Sequence, residues 1–194
     1  MKRSAGQVRI IGGRLRGRRI PVPDVPGLRP TPDRVRETLF NWLAPHLSGA
    51  RVLDLFAGTG ALGIEAASRG AAEVTLVESQ RAAQAALRDT LQLLSLPEAK
   101  LVTGDALAFL AAGAGEYDVI FLDPPFAAGL QAPALAAIER HGRLVPGGFC
   151  YVEQPAATGA PPLPAGWVVH RSGRAGEVGY HLLHVPKRDL PGHV

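Results

Sequence analysis

Short apolar runs and amphipathic stretches alternate along residues 51–154. "RVLDLFAG" (51–58) is a mostly apolar run that ends on glycine, and "ALGIEAASRG" (61–70) reads as a helix stopped by Gly70. "EVTLVES" (73–79) predicts a second strand and "QRAAQAALRDTLQLLSL" (80–96) a second helix. "KLVTGD" (100–105) and "ALAFLAA" (106–112) repeat the pair. "YDVIFLDPPF" (117–126) is a fourth strand, "LQAPALAAIERHG" (130–142) a helix and "GGFCYVEQ" (147–154) a fifth strand. "GWVVHRSGR" and "GYHLLHVPKR" (166–174 and 179–188) pair as the last two. Strands alternating with helices predict βαβ units and a parallel sheet covered on both faces, hence an α/β fold. The Pro/Gly-rich stretch 155–166 reads as a surface connection within one domain.

Ahead of this body, "VRIIGGRLRGRRIPVP" (8–23) reads as two short strands around a glycine-rich turn. Its apolar Val8, Ile10, Ile11, Leu15 and Ile20 favour a folded arm over a bare arginine tail. "RPTPDRVRETLFNWL" (29–43) predicts a helix. Thr31 is its expected N-cap, Pro32 its first helical residue and Asp33 an acid at the positive end of the dipole. Val35, Leu39, Trp42 and Leu43 fall on one helical face, so Trp42 and Leu43 are expected in the core.

The chain has 194 residues, 46% of them hydrophobic, which fits one domain with a full core. No apolar run approaches the roughly 18–20 residues of a membrane span, and the basic N-terminus is followed by no apolar segment of a secretory signal. Its scattered Gly and Pro also spoil a transit-peptide helix. Cys150 is the only cysteine, so a disulfide framework and a cysteine zinc site are excluded. The expected location is the cytoplasm. Among the six histidines only His181 and His184 approach a ligand spacing, and on a strand they face differently, so no metal is expected. The net charge of +4 hides an asymmetry. Residues 1–37 carry ten Lys/Arg against three Asp/Glu, and the remainder eleven against fourteen. A basic arm on an acidic body is a nucleic-acid footprint or a solvated tail. Arg9, Arg14, Arg16, Arg18, Arg19 and Arg34 are the candidate nucleic-acid contacts; Arg36 either joins them or bridges to the body.

"DLFAGTGALG" contains Gly58-x-Gly60-x-x-Gly63, after a strand and opening a helix. That spacing suits a dinucleotide or S-adenosylmethionine. Glu78, at the end of the next strand, can accept hydrogen bonds from both ribose hydroxyls in either case. Asp54 separates them: an acid before the glycine turn repels a pyrophosphate and attracts an amino group or a sulfonium. Asp54, Glu78, Asp105 and Asp123 all fall near the carboxyl ends of strands, where open α/β sheets bind ligands. Four carboxylates around one site favour a cationic ligand. Singly, each is also a plausible N-cap, Asp105 above all.

"DPPF" fits methyl transfer to an exocyclic amine of a nucleobase. Such a nitrogen is a poor nucleophile because its lone pair is delocalised into the ring. The Asp123 carboxylate and the Pro124 carbonyl can each accept one N–H, aligning the nitrogen and stabilising its developing charge. Pro124 and Pro125 fix φ and offer no N–H, so the turn presents acceptors. Phe126 can stack on a flipped base.

These stretches together resemble the RsmD family of class I S-adenosylmethionine-dependent methyltransferases. The resemblance spans nearly the whole chain, through "RIIGGRLRGRRI", "RPTPDRVRETLFNWL", "VLDLFAGTGALGIEAASRGA", "VTLVES" and "FLDPPF". It implies a Rossmann-like class I methyltransferase fold: a mainly parallel sheet of about seven strands, helices on both faces, and a small N-terminal β-hairpin arm and helix. It divides the chain into a basic arm, 1–28, and a methyltransferase domain, 29–194. It also implies methylation of N2 of a guanine in 16S ribosomal RNA, within the small subunit or a late assembly intermediate, with no membrane and no metal partner. The matching positions give catalytic Asp123, Pro124, Pro125 and Phe126, and cofactor-binding Asp54, Phe56, Gly58, Gly60, Glu78, Asp105 and Ala106. Asp105 and Ala106 match the contact with the adenine amine. The asparagine usual in the second helix is missing from "SQRAAQAALRDTLQLL". The alternatives are a DNA adenine-N6 methyltransferase, for which the chain lacks a target-recognition domain; a non-catalytic RNA-binding assembly factor; and an NAD-dependent oxidoreductase.

Overall fold

The computed structural model describes residues 6–113 and 115–187. Lys2, Arg3 and His193, which belong to the charge and metal readings above, lie outside the described residues. An antiparallel pair opens the chain, β1 (Gln7–Arg9) with β2 (Arg19–Pro21), and α1 (Asp33–Leu47) follows. Then come β3 (Arg51–Asp54), α2 (Ala61–Ser68), β4 (Glu73–Glu78), α3 (Arg81–Leu94), β5 (Ala99–Thr103), α4 (Ala106–Ala112) and β6 (Tyr117–Leu122). The last elements are α5 (Gln131–Arg140), β7 (Leu144–Pro155), β8 (Val168–Ala175) and β9 (Val178–His184). The seven-stranded sheet runs β5-β4-β3-β6-β7-β9-β8. It is parallel from β5 to β7, and β9 is antiparallel to both its neighbours.

Strand alternation splits the core into two layers. Val119 and Phe121 of β6 face the layer made with α1, α2 and α3, while Ile120 and Leu122 face α4 and α5. This double burial is why β6 reads as an unbroken apolar run. Cys150 is buried in the second layer. Leu43 is buried; Trp42 packs from the rim, its ring 5.6 Å from that of Tyr180.

The first layer includes the arm. Val8, Ile10, Leu15 and Ile20 are buried in one cluster with Leu39, Phe40 and Ile64 of the body. The glycine turn of the arm is clasped by the end of α2. Ile11 N–H and Gly12 N–H donate to the two oxygens of Glu65 at 2.9 and 2.7 Å, Arg14 N–H to the Ser68 carbonyl, and Leu15 N–H to Ser68 Oγ. Gly13 sits at φ +77°, where a Cβ would run into the Ser68 carbonyl. Arg36 is fully buried beneath this clasp. Its guanidinium donates to Arg9 O at 2.9 Å and Asp33 Oδ1 at 2.6 Å, and approaches Glu65 Oε2 at 3.5 Å. Of the two roles open to Arg36, the bridge is the one found. The division at residue 28 is therefore one of role, which we propose below, while the arm and body share a core.

The helix α1 begins later than its sequence suggests. Pro32 is its N-cap, with no side-chain cap bond, and Asp33 its first residue. Thr31 does not cap, because its hydroxyl is drawn to two carboxyl groups across the sheet. The helix also passes through Pro45 to Leu47, at the cost of the bond that an N–H at position 45 would give the carbonyl of Asn41. The order of strands reverses between β3 and β6, which places the switch point of the sheet at their carboxyl ends.

Candidate active site

The turn after β3 is held by its neighbours. Leu55 N–H donates to Phe121 O, Ala57 N–H to Val77 O, and Gly60 N–H to Ala57 O at 2.7 Å. Gly58 and Gly60 have φ +56° and +79°, a left-handed backbone that glycine adopts without strain. Gly63 has another purpose: a Cβ there would lie 2.7 Å from Leu76 Cδ2 and 3.2 Å from Asp54 Oδ2. Its absence brings α2 down onto β3 and β4, and Gly63 N–H donates to Asp54 Oδ2 at 2.9 Å.

Asp54 is 2% exposed. Burial pushes its carboxyl up to about 7 against the Gly63 N–H bond, with the charge of Glu78 adding to the rise. Among the described residues no cation lies within ion-pair distance of it. Glu78 accepts Gly58 N–H and Gln80 N–H at 2.8 and 2.7 Å, one on each oxygen. Each oxygen keeps a second lone pair for a ligand hydroxyl. Asp105 is the N-cap of α4, accepting Ala108 N–H at 2.8 Å, so its capping reading is realised. Its other oxygen is exposed beside buried Ala106. Phe56 packs half-buried against the second layer.

Across the switch point, Asp123 follows β6. It sits half-buried, with Pro124 buried and Pro125 and Phe126 exposed at the surface. The register of β6 with β7 sets Leu122 against Val152, so the next residue on each strand, Asp123 and Glu153, are neighbours. Thr31 Oγ1 bridges them, 2.7 Å from Glu153 Oε1 and 3.3 Å from Asp123 Oδ2. Tyr151 Oη donates to Glu153 Oε1 at 2.8 Å. Burial, then the charges of Glu153 and Asp54, hold Asp123 well above the usual carboxylate range, with the Thr31 hydroxyl opposing. Burial also raises Glu153, against the bonds from Thr31 and Tyr151. Burial and Glu153 keep the Tyr151 phenol protonated, so it remains a donor.

The structure thus brings Asp54, Gly58, Gly60, Glu78 and Asp123 to one end of the sheet, with Thr31 and Glu153 added. Sequence reading passed over both additions. Thr31 looked like a helix cap, and Glu153 like one residue of a strand. The signal for Glu153 was an acid inside the apolar "FCYVEQ", and buried carboxylates require partners. The arm arginines lie apart from this cluster. Arg14 pairs with Glu98, and Arg9 reaches Asp33 at 4.0 Å. Arg19 donates to Gln7 at 3.3 Å. Among the described residues no carboxylate is within ion-pair distance of Arg16, Arg18, Arg19 or Arg34, all exposed. Arg34 lies in the first turn of α1, three residues from Thr31. Among the described residues no group of three His, Cys, Asp or Glu side chains is placed to hold a metal ion, and no helix is long and apolar enough to cross a membrane.

The sequence and the fold have counterparts among known proteins. The chain is 49% identical over 178 residues to the ribosomal RNA small subunit methyltransferase D of Escherichia coli K12, covering 92% of this chain and 90% of that one. It is 40% identical over 185 residues to the Haemophilus influenzae protein of the same name, covering 91% and 93%. The solved structure of yhhF from Escherichia coli superposes with a TM-score of 0.87 at 45% identity, over 94% of this chain and all of that one. The model of the family described as Conserved hypothetical protein 95 matches residues 8–184. A match of that extent, with relatives aligned over nine-tenths of the sequence, places the chain in this family, the RsmD family of methyltransferases.

Proposed function

We propose that the protein transfers a methyl group from S-adenosylmethionine to the exocyclic N2 amine of a guanine in 16S ribosomal RNA. The observation that carries this reading is the placement of Asp123, with exposed Phe126 beside it, across the switch point from an acid-lined glycine turn. The names of the relatives, ribosomal RNA small subunit methyltransferase D, support the substrate class.

The cleft fits S-adenosylmethionine, which supplies an electrophilic methyl group on a sulfonium. Asp54 is a buried carboxyl with a raised proton affinity, so a cationic group beside it would be met by a charge that burial now suppresses. Glu78 would take the ribose hydroxyls on its remaining lone pairs, and Asp105 with Ala106 the adenine edge, while Phe56 lines the pocket. Gly58 and Gly60 let the backbone approach. A pyrophosphate in the same place would face Asp54 and Glu78 together, which disfavours NAD. On the other side Asp123 would hold the amine, Pro124 would offer its carbonyl, and Phe126 would stack on the base. Water exclusion at the amine falls to the buried Thr31, Tyr151 and Glu153.

Arg16, Arg18, Arg19 and Arg34, with Arg9 and Arg14 at the edges of the patch, would contact phosphates, and the arm (1–28) would dock the methyltransferase domain (29–194) on its RNA. We assign the substrate to the small subunit or a late assembly intermediate, in the cytoplasm. The test is labelled methyl transfer to small subunits that lack their native methyl groups, comparing wild type with Asp123→Ala. Loss of one preorganised polar contact at the transition state costs about 10²–10³ in rate. Label entering the RNA in the wild type and not in the variant, with S-adenosylmethionine binding retained, is expected. Near-normal turnover by the variant would overturn the assignment.

A further inference from the structure

Glu153 is a buried acid to which the reading above gives no chemical step, though two hydroxyl donors converge on it. Thr31 and Tyr151 both donate to Oε1, at 2.7 and 2.8 Å, and Asp123 is joined to it through the Thr31 hydroxyl, which lies 3.3 Å from Asp123 Oδ2. Two carboxyls bridged by one hydroxyl, with no cation beside them among the described residues, do not both ionise; they hold one proton between them. The donors show where the negative charge rests. Thr31 and Tyr151 stabilise Glu153 as the anion, so the shared proton sits on Asp123. The other groups facing the pair are Asp54 from β3 and, through Tyr151, Tyr180 from β9; neither is a cation.

We propose that Glu153 is a positioning residue and the terminal proton acceptor of the reaction, acting through Asp123 as a two-carboxyl relay. This rests on the amine-methylation reading above. The amine nitrogen forms its bond to the methyl carbon, and the carbon–sulfur bond breaks with its electron pair left on sulfur. The amine proton passes to the free oxygen of Asp123, and the proton already on Asp123 passes to Glu153. The pair begins as a monoanion and ends as two neutral carboxylic acids, then releases one proton to solvent. The arrangement answers a difficulty in a single-aspartate scheme. An isolated Asp123 would need to be ionised in a buried setting that disfavours its charge. With Glu153 behind it, the negative charge is stored where two hydroxyls solvate it, and the amine still meets an acceptor oxygen.

The test uses the full chain and Glu153→Gln, which keeps an acceptor for Thr31 and Tyr151 and removes the charge. Single-turnover methyl transfer should fall about 100-fold, the lower range of general acid–base contributions, with affinity for S-adenosylmethionine and RNA unchanged. A second readout does not involve activity. With aspartate carboxyls labelled with ¹³C and Asp54→Asn in both proteins, the infrared spectrum of wild type minus E153Q, followed across pH, should contain a protonated aspartic acid band. Burial persists in the variant, but the Glu153 charge that raises Asp123 is gone, so the Asp123 proton leaves at lower pH than in the wild type. The shared Asp54→Asn background removes the Asp54 band, which would otherwise respond to the charge of Asp123. Should E153Q fail to fold by its melting curve, Thr31→Val with Thr31→Ser as rescue is measured in its place, with the same band expected to weaken and return. A wild-type rate in E153Q, or a blank difference spectrum, overturns the relay. Failure of the wild type to form N2-methylguanosine would instead overturn the reading on which the relay rests, so the two failures are distinguishable.

Discussion

Asp54→Asn should make the protein more stable while weakening its hold on S-adenosylmethionine. In the folded chain the Asp54 carboxyl titrates near 7 instead of 3.8, because burial disfavours its charge. Each unit is worth about 1.4 kcal/mol, so at a pH above both values the ionised carboxylate costs the fold about 4 kcal/mol. A folded-state value raised above the unfolded one means that this cost is absent at pH below 3.8, grows as pH rises through the interval, and is complete above about 7. At pH near 5 it is under about 2 kcal/mol by the same arithmetic. Asparagine keeps an acceptor for the Gly63 N–H and carries no charge. Its extra N–H donors have a cost of their own, but that cost does not vary with pH. The advantage of D54N over wild type should therefore grow by about 3 kcal/mol between pH 5 and pH 8. For a chain of this size that is about 6–12 °C in melting temperature. The assay is thermal unfolding of both proteins across the pH series, with calorimetric titration of S-adenosylmethionine at each pH. Wild-type affinity should also weaken below pH 7, where binding a cation must first displace the proton. A stability difference that is flat with pH would refute the reasoning, as would unimpaired binding by D54N.

Glu78→Gln should lower affinity for S-adenosylmethionine by about 10–100-fold, the worth of hydrogen bonds to one charged acceptor, and leave turnover at saturation nearly intact; titration calorimetry with saturating kinetics checks both. Arg36→Met should destabilise the protein by about 3 kcal/mol, because it strips the buried carbonyls of Arg9 and Thr31 of their donor and leaves Glu65 with Arg69 as its remaining cation. Denaturant unfolding measures this, and the glycine turn of the arm, bonded to Glu65, should lose hydrogen-exchange protection with it. Replacing Arg16, Arg18 and Arg19 with alanine should leave the melting temperature unchanged and flatten the dependence of RNA affinity on salt. At about 0.7 per phosphate on a single strand, three lost contacts change the slope by about 2. An unchanged slope would assign these arginines to solvent.

The sheet was legible in the sequence because its central strands are buried on both faces and glycines follow several of its helices. Gly70 and the run 117–122 each punctuate the pattern where the chain turns. The Gly58–Gly63 turn was legible for the same reason, since only glycine meets its backbone and packing demands. What escaped were groups whose partners lie far along the chain. Thr31 and Glu153 are 122 positions apart, and nothing local in "RPTP" or "YVEQ" couples them. The clasp of the arm escaped likewise: "IIGG" reads as a glycine-rich turn, and its need for glycine comes from Ser68, more than fifty residues on. Short-range periodicity reports which face is buried; it does not report which polar group on another strand waits there.

The most direct test of the central claim is the identity of the methylated nucleoside. Small subunits lacking their native methyl groups are incubated with the protein and labelled S-adenosylmethionine, and the 16S RNA is digested to nucleosides for mass spectrometry. N2-methylguanosine bearing the label, absent with Asp123→Ala, is the predicted result. N6-methyladenosine, or no labelled nucleoside from an intact and cofactor-binding protein, would contradict it.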